Sequence, residues 1–182
     1  MRNEWTGRSE VQEVRELQSY LYISGGCNFE ERSVSNMHIE VNLSSKISCR
    51  KKNIPQPKFA HGACLVGNQV VIAGGISDMM LTMGLRMVPL GNKDCYSYDI
   101  FKSRWRSLPD LPIGKMHPTM IVVNSRFVFH IGGFDDFDFD IYRLDMNKPN
   151  DQWKTISLDL TKQVIEDSTY IGTRNYLETL AK

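Results

Sequence analysis

Several features that identify whole classes of protein are missing from this chain of 182 residues. Its four cysteines occur singly, without a C-x-x-C pair, which excludes a zinc-finger pattern and predicts reduced thiols in a cytoplasmic protein. No stretch reaches the roughly 20 apolar residues of a membrane-spanning helix, and the first residues lack the apolar segment of a secretory signal. The sequence therefore predicts no membrane association.

An excess of charge of one sign is also missing, since 22 basic residues stand against 21 acidic ones. Such a balance produces no long-range field that would attract nucleic acid. A short basic run, Arg50-Lys51-Lys52, has no interleaved aromatic residue and is predicted to be a solvated turn. We therefore expect no nucleic-acid partner.

Sequence motifs of catalysis are missing as well. The chain has no glycine loop that cradles phosphate, no H-E-x-x-H, no G-x-S-x-G and no cysteine with a neighbouring base in sequence. The sequence therefore predicts that the protein is not an enzyme and has no catalytic residues, no bound metal and no cofactor.

What the chain does contain is an internal repeat. Three apolar runs, at 17–26, 66–75 and 123–133, each end in a pair of glycines, and no other Gly-Gly occurs in the sequence. In the second run a short polar turn, Gly67-Asn68, separates two apolar segments, which is typical of a β-hairpin. The repeated pairs are Gly25 and Gly26, Gly74 and Gly75, and Gly132 and Gly133.

An acid within an apolar strand and then a tryptophan follow two of these glycine pairs. The second repeat has Asp99 and Trp105, with Tyr98 before the acid, and the third has Asp145 and Trp153, with Leu144 in place of the tyrosine. The first repeat has no tryptophan where one is expected. We expect the first and third repeats to be packed less tightly than the second.

In combination these features resemble the kelch repeat, which has a period of roughly 50 residues. The resemblance implies an all-β, kelch-type β-propeller in which each repeat forms one four-stranded blade. Residues 1–158 would form the blades, with repeats at roughly 11–52, 53–112 and 113–158, and residues 159–182 a degenerate or poorly ordered segment. The glycines would allow close approach of neighbouring blades, and Tyr98 and Trp105 would pack between blades.

The length of the chain limits how such a propeller closes. Propellers usually have four to eight blades, and at roughly 50 residues each the chain supplies about three. Three alternatives follow: a fragment of a larger kelch protein with no independent function, association with a second copy, or a degenerate fourth blade from the C-terminal segment.

The second repeat carries an insert between Gly75 and Tyr98 that is unusually rich in methionine. Methionine is flexible and polarizable, and surfaces rich in it accommodate varied partners. Long loops in compact domains are more often functional than idle. The alternative is an apolar flap that covers the gap left by missing blades. The residues predicted to bind a partner are Met79, Met80, Met83 and Met87.

An acidic stretch follows the third glycine pair. On a strand, its alternating aspartates and phenylalanines place carboxylates on one face and apolar groups on the other. The glycine and the final glutamate of an EF-hand are missing, so calcium binding is not predicted. Either these acids bind a basic partner, or they form a solvated edge that prevents aggregation. The acids predicted to bind a partner are Asp135, Asp136 and Asp138.

The resemblance implies a non-catalytic protein-interaction module, a scaffold or adaptor that binds a protein partner through blade-face loops. The alternative is a propeller enzyme acting on a carbohydrate, of the copper-oxidase or sialic-acid epimerase type. Such a copper site would draw on Tyr22, Cys27, Tyr96 and the histidines. We instead expect His61 and His117 to stabilise equivalent turns and His130 to lie in the core.

Overall fold

A computed structural model describes residues 19–78, 91–133, 140–148 and 150–156. The regular elements in these ranges are thirteen β-strands. The described ranges contain no helix that is long and apolar enough to cross a membrane. The strands are β1 (Tyr20–Ser24), β2 (Cys27–Asn28), β3 (Ser33–Val34), β4 (His38–Asn42), β5 (Ser48–Arg50), β6 (Gly62–Val66), β7 (Gln69–Ala73), β8 (Cys95–Asp99), β9 (Arg104–Leu108), β10 (Thr119–Val123), β11 (Phe127–Ile131), β12 (Ile141–Asp145) and β13 (Lys154–Ile156).

The strands form three successive antiparallel sheets, which we call blades one, two and three. Blade two has the order β6-β7-β8-β9 and blade three the order β10-β11-β12-β13. Blade one consists of β1-β4-β5 in the described residues, and the small hairpin β2-β3 connects its first two strands. The prediction of an all-β fold of propeller type with about three blades is therefore confirmed.

Blade two is buried on both faces because it lies between the other two blades. Along β7, Val70 and Ile72 belong to a core that includes Tyr22 of blade one. The alternate residues Val71 and Ala73 pack with side chains of blade three, and β6 lies beside β10. A strand buried on both faces is a continuous apolar run rather than an alternating one, which explains V-V-I-A in the sequence.

Two tryptophans join blades two and three to the segments that lead into them. The Trp105 indole nitrogen donates a hydrogen bond to the Lys52 carbonyl at 2.7 Å, and Trp153 donates to the Pro109 carbonyl at 2.9 Å. The two acceptors are 57 residues apart in sequence, so the contact repeats from blade two to blade three. The Trp105 ring also lies 5.0 Å from the Tyr98 ring, centroid to centroid, between blades one and two.

The glycine pairs bring the end of one blade against the segment that leads into the next. The Gly26 amide donates to the Lys58 carbonyl at 2.8 Å, and the Gly75 amide donates to the Lys115 carbonyl at 2.8 Å. Gly74 has a φ of 71°, and a Cβ there would lie 2.5 Å from the Lys115 oxygen. Neighbouring backbones thus approach where a side chain would collide.

Packing differs between the first and third blades. Leu144, which replaces a tyrosine, is buried against Trp153 and blade two, so the expectation of looser packing in blade three is not met. Blade one matches the expectation because Leu21 and Ile23, on its face away from blade two, are each 48% exposed. The described part of the chain contains no neighbouring blade on that face.

Two histidines, His38 and His130, are buried, and His61 is partly buried. His38 packs edge-on against Tyr98 with ring centroids 4.5 Å apart, and its Nδ1 lies 2.8 Å from the Ser24 hydroxyl. His130 is fully buried, as predicted for a core histidine. Because burial disfavours the charged ring, the pKa of His38, His61 and His130 is lowered in each case to about 4.

His61 and His117 do not occupy equivalent positions, contrary to the expectation from sequence. The residue equivalent to His117 is Ala60, since both have a positive φ, 53° and 54°, and both lie two residues before a first strand. His117 is exposed, whereas His61 is partly buried beside Gly25 and Gly75. The repeated feature at this turn is therefore the backbone conformation and not the imidazole.

Replacement of Gly74 by alanine tests the contact between blades. We expect Gly74→Ala to lower the free energy of unfolding by about 3 kcal/mol or more, because it adds a clash with a backbone carbonyl to the strain of a left-handed residue. Gly67→Ala is the matched control, since Gly67 has a φ of 55° but nothing within 4 Å of an added Cβ. It should cost only about 1 kcal/mol in urea denaturation. Equal losses in both variants would contradict the contact.

The buried histidines predict that stability falls with acidification between pH 6.5 and pH 4. In that window the unfolded chain binds protons at histidines that stay neutral in the folded protein. Each histidine therefore lowers the free energy of unfolding by roughly 1 to 2 kcal/mol at pH 5 relative to pH 7.5. The Arg126 guanidinium lowers the pKa of Asp145 to about 2, so that ion pair is lost only below this pH window. Urea midpoints of the wild type, His38→Phe and the exposed control His117→Asn measure the effect. A dependence that is equally steep in His38→Phe would contradict it.

Candidate interaction face

The loops that follow the glycine pairs begin and end at one end of the blades, which we call the loop end. Strand pairing fixes these attachment points, since Ser24 pairs with His38, Ala73 with Cys95, and Ile131 with Ile141. Each pair joins the end of the strand before a glycine pair to the start of the next strand of the same blade. The blade-to-blade hydrogen bonds of Gly26 and Gly75 then place successive loop ends side by side.

The loop of blade one is a short hairpin rather than an irregular surface loop. Cys27 pairs with Val34 and Asn28 with Ser33. The Asn28 side-chain oxygen accepts hydrogen bonds from the backbone amides of residues 30 and 31 at 3.0 and 3.2 Å, which closes the turn. This turn presents Phe29, which is 72% exposed. Sequence reasoning did not select Phe29, although its place after a glycine pair matches the other two loops.

The methionine-rich insert leaves and rejoins blade two at one place. Ile76 and Phe59 form an isolated β-bridge, and the Asn92 amide donates to the Gly75 carbonyl at 2.7 Å. Both ends of the insert are thus fixed at the loop end. The predicted binding residues Met79, Met80, Met83 and Met87 lie outside the described residues, and so do Asp135, Asp136 and Asp138 of blade three.

Two buried lysines support the loop end from beneath, and sequence reasoning missed both. The Lys58 ammonium lies 2.6 Å from the Asp94 carboxylate and donates to the Gly74 carbonyl at 3.1 Å. Lys115 occupies the equivalent place 57 residues later and is also fully buried. The ammonium groups lie 5.4 and 5.9 Å from the ring centroids of Tyr96 and Tyr142.

The described residues do not assemble the side chains that a copper site would use. Tyr22 donates to the Glu40 carboxylate at 2.6 Å, and Tyr96 lies over Lys58. No cluster of three potential metal ligands among histidine, cysteine, aspartate and glutamate occurs within the described ranges. Burial raises the pKa of the Cys64 and Cys95 thiols to about 12, which disfavours the reactive thiolate.

Comparison with known proteins supports the fold and leaves the family open. No protein-family profile matches the chain. The solved structure of YjhT, which is of propeller type, superposes with a TM-score of 0.61 at 16% identity, covering 76% of this chain and 48% of YjhT. A curated relative, tRNA wybutosine-synthesizing protein 4 of Candida albicans, is 24% identical over 124 residues. That match covers 67% of this chain and 16% of the relative, so the chain spans about half of one protein and a sixth of the other.

Proposed function

We propose that the chain is a non-catalytic protein-interaction module of the kelch-repeat type, a scaffold or adaptor in the cytoplasm. The observation that carries the proposal is the alignment of three successive loops at one end of rigid blades. Loops held by a rigid scaffold are where binding residues concentrate. The protein partner would contact the exposed Phe29 together with the methionine-rich and acidic loops.

The chemistry of the loop end favours binding over catalysis. The histidines that could act as bases are separated, with His38 at the contact between blades one and two and His130 packed against Trp153 within blade three. Burial keeps both uncharged at neutral pH. The part matched in the wybutosine-synthesizing protein is a sixth of that relative, which is consistent with a binding domain inside a larger protein.

The loops can be tested by affinity capture from extracts of the source cells, followed by titration of the captured protein. We expect Phe29→Ser combined with deletion of residues 79–87 to weaken binding at least tenfold, because both remove apolar contact area. Replacement of Asp135, Asp136 and Asp138 by asparagine separately tests the acidic loop. Ile47→Ser is the control, since Ile47 is exposed in the β4-β5 turn at the opposite end. Unchanged binding of every captured protein to the loop variants would contradict the proposal.

Completion of the ring is a second part of the proposed role. Leu21 and Ile23 lie exposed on the face of blade one where a further blade would pack, whereas Phe127, Phe129 and Ile141 on the far face of blade three are buried. We propose that blade one receives another blade, from a second copy or from a longer parent propeller.

Sedimentation analysis of the chain tests self-association through blade one. We expect the wild type to associate as its concentration rises, because burial of two aliphatic side chains contributes roughly 1.5 to 3 kcal/mol each. Leu21→Ser combined with Ile23→Ser should remain monomeric and folded. A wild-type chain that stays monomeric up to high concentration would contradict self-association and favour a parent propeller.

A further inference from the structure

The outer edge of blade two carries a run of basic residues that the proposed loop-end function does not use. Strand β9 is the last strand of its sheet, so one side of its backbone faces away from the blade. The turn before β9 supplies Lys102, and β9 itself supplies Arg104 and Arg106. All three are exposed, and Phe101 at the start of the turn is 83% exposed. We call this surface the basic edge.

One arginine of the basic edge is held in place by buried polar groups. The Arg106 guanidinium donates to the Gln69 side-chain oxygen at 2.9 Å, and the Ser97 hydroxyl donates to the same oxygen at 2.6 Å. Ser97 is fully buried, so Gln69 is fixed from the interior of the sheet. An arginine that only protects a sheet edge from aggregation needs no such support. Arg106 is therefore positioned before any partner arrives.

The remaining cations of the basic edge keep unused hydrogen-bonding capacity. Arg104 forms no ion pair within the described part of the chain, and Lys102 lies at 3.7 Å from its one carboxylate, Asp99. These side chains, Gln69 and Trp105 line a cleft of about 450 Å³. Three cations face one carboxylate that already accepts a hydrogen bond from the Lys102 amide at 2.9 Å. The cleft thus has an excess of positive charge.

The spacing of the arginines defines the shape of a complementary ligand. Arg104 and Arg106 are alternate residues of β9, so their side chains share one face and start about 6.6 Å apart. An extended segment beside β9 would present its own alternate side chains at the same interval. Arginine pairs with carboxylates in a bidentate manner, which favours acids at these positions.

We propose that the basic edge binds an extended acidic segment of a protein partner, with acidic side chains at alternate positions, along β9. This inference rests on the proposed interaction function and adds a second surface to it. Protein is favoured over RNA because the described residues of the basic edge offer one well-exposed aromatic ring, Phe101, and no second one beside it. The Trp105 ring is partly buried and packs against Tyr98 and His38, each with a ring centroid 5.0 Å away, and its nitrogen donates to the Lys52 carbonyl. Binding of single-stranded RNA relies on open aromatic faces along the strand.

Fluorescence titration of the full chain with synthetic peptides tests the proposal. The probe is an extended peptide with glutamate at alternate positions separated by threonine, and the control peptide has the same composition with its glutamates adjacent. A uridine oligonucleotide of equal charge is the third probe. We expect the alternating peptide to bind at least tenfold more tightly than the other two at the same salt concentration.

Variants separate positioning from net charge. Arg104→Gln combined with Arg106→Gln should weaken peptide binding at least tenfold. Arg32→Gln combined with Lys46→Gln removes the same charge from exposed sites elsewhere and should change binding less than twofold. Gln69→Met keeps every charge but releases Arg106, and should weaken binding about threefold. Thermal unfolding verifies that each variant is folded.

Several outcomes would overturn the proposal. They are no binding of the alternating peptide, equal binding of the control peptide, tighter binding of the oligonucleotide, or equal losses in both double charge variants. The loop-end variants provide the distinction from the proposed function. If they lose the captured partner while the peptide fails to bind, only the basic edge is refuted.

Discussion

The close approach of backbone at the glycine pairs is the constraint on which the structure depends. Gly26 and Gly75 each donate to a carbonyl of the next blade's leading segment, at Lys58 and Lys115. A hydrogen bond between main chains at 2.8 Å leaves no room for a Cβ on the neighbouring glycine, Gly74. Because the same bond joins blade one to the segment before blade two and blade two to the segment before blade three, it fixes each blade relative to the preceding one.

This constraint explains why two lysine side chains are buried beneath the loop end, although burial of an ammonium group is usually unfavourable. A buried ammonium is tolerated only when it is paired and fully hydrogen-bonded. Lys58 meets that condition through Asp94 and the Gly74 carbonyl, so the same residue accepts a bond from blade one and donates to blade two. The lysine thereby joins the glycine turn to the base of the adjoining loop, and the loop can vary in sequence without moving its ends.

The fold could be predicted from sequence where a structural role demands one residue type. A left-handed turn against a carbonyl requires glycine, and a long donor between blades favours tryptophan, so Gly74 and Trp105 identify the repeat. Lys58 and Lys115 could not be recognised in the same way, since lysine is usually exposed. The basic edge was hidden for another reason. Lys102, Arg104 and Arg106 are close in sequence, but only the fold shows that they lie exposed at a sheet edge and that Gln69 holds Arg106.

Net charge also conceals the basic edge, since the whole chain carries only +1. At physiological salt, charges more than about 8 Å apart on a surface are largely screened, so a local cluster acts on what touches it and not at long range. Such a cluster sets the orientation and register of a bound partner more than it raises the rate of association. Because Gln69 fixes one of the two arginines, the basic edge has a defined geometry on a nearly neutral protein. If both proposals hold, the basic edge would bind a short acidic segment of a partner that the loop end also contacts.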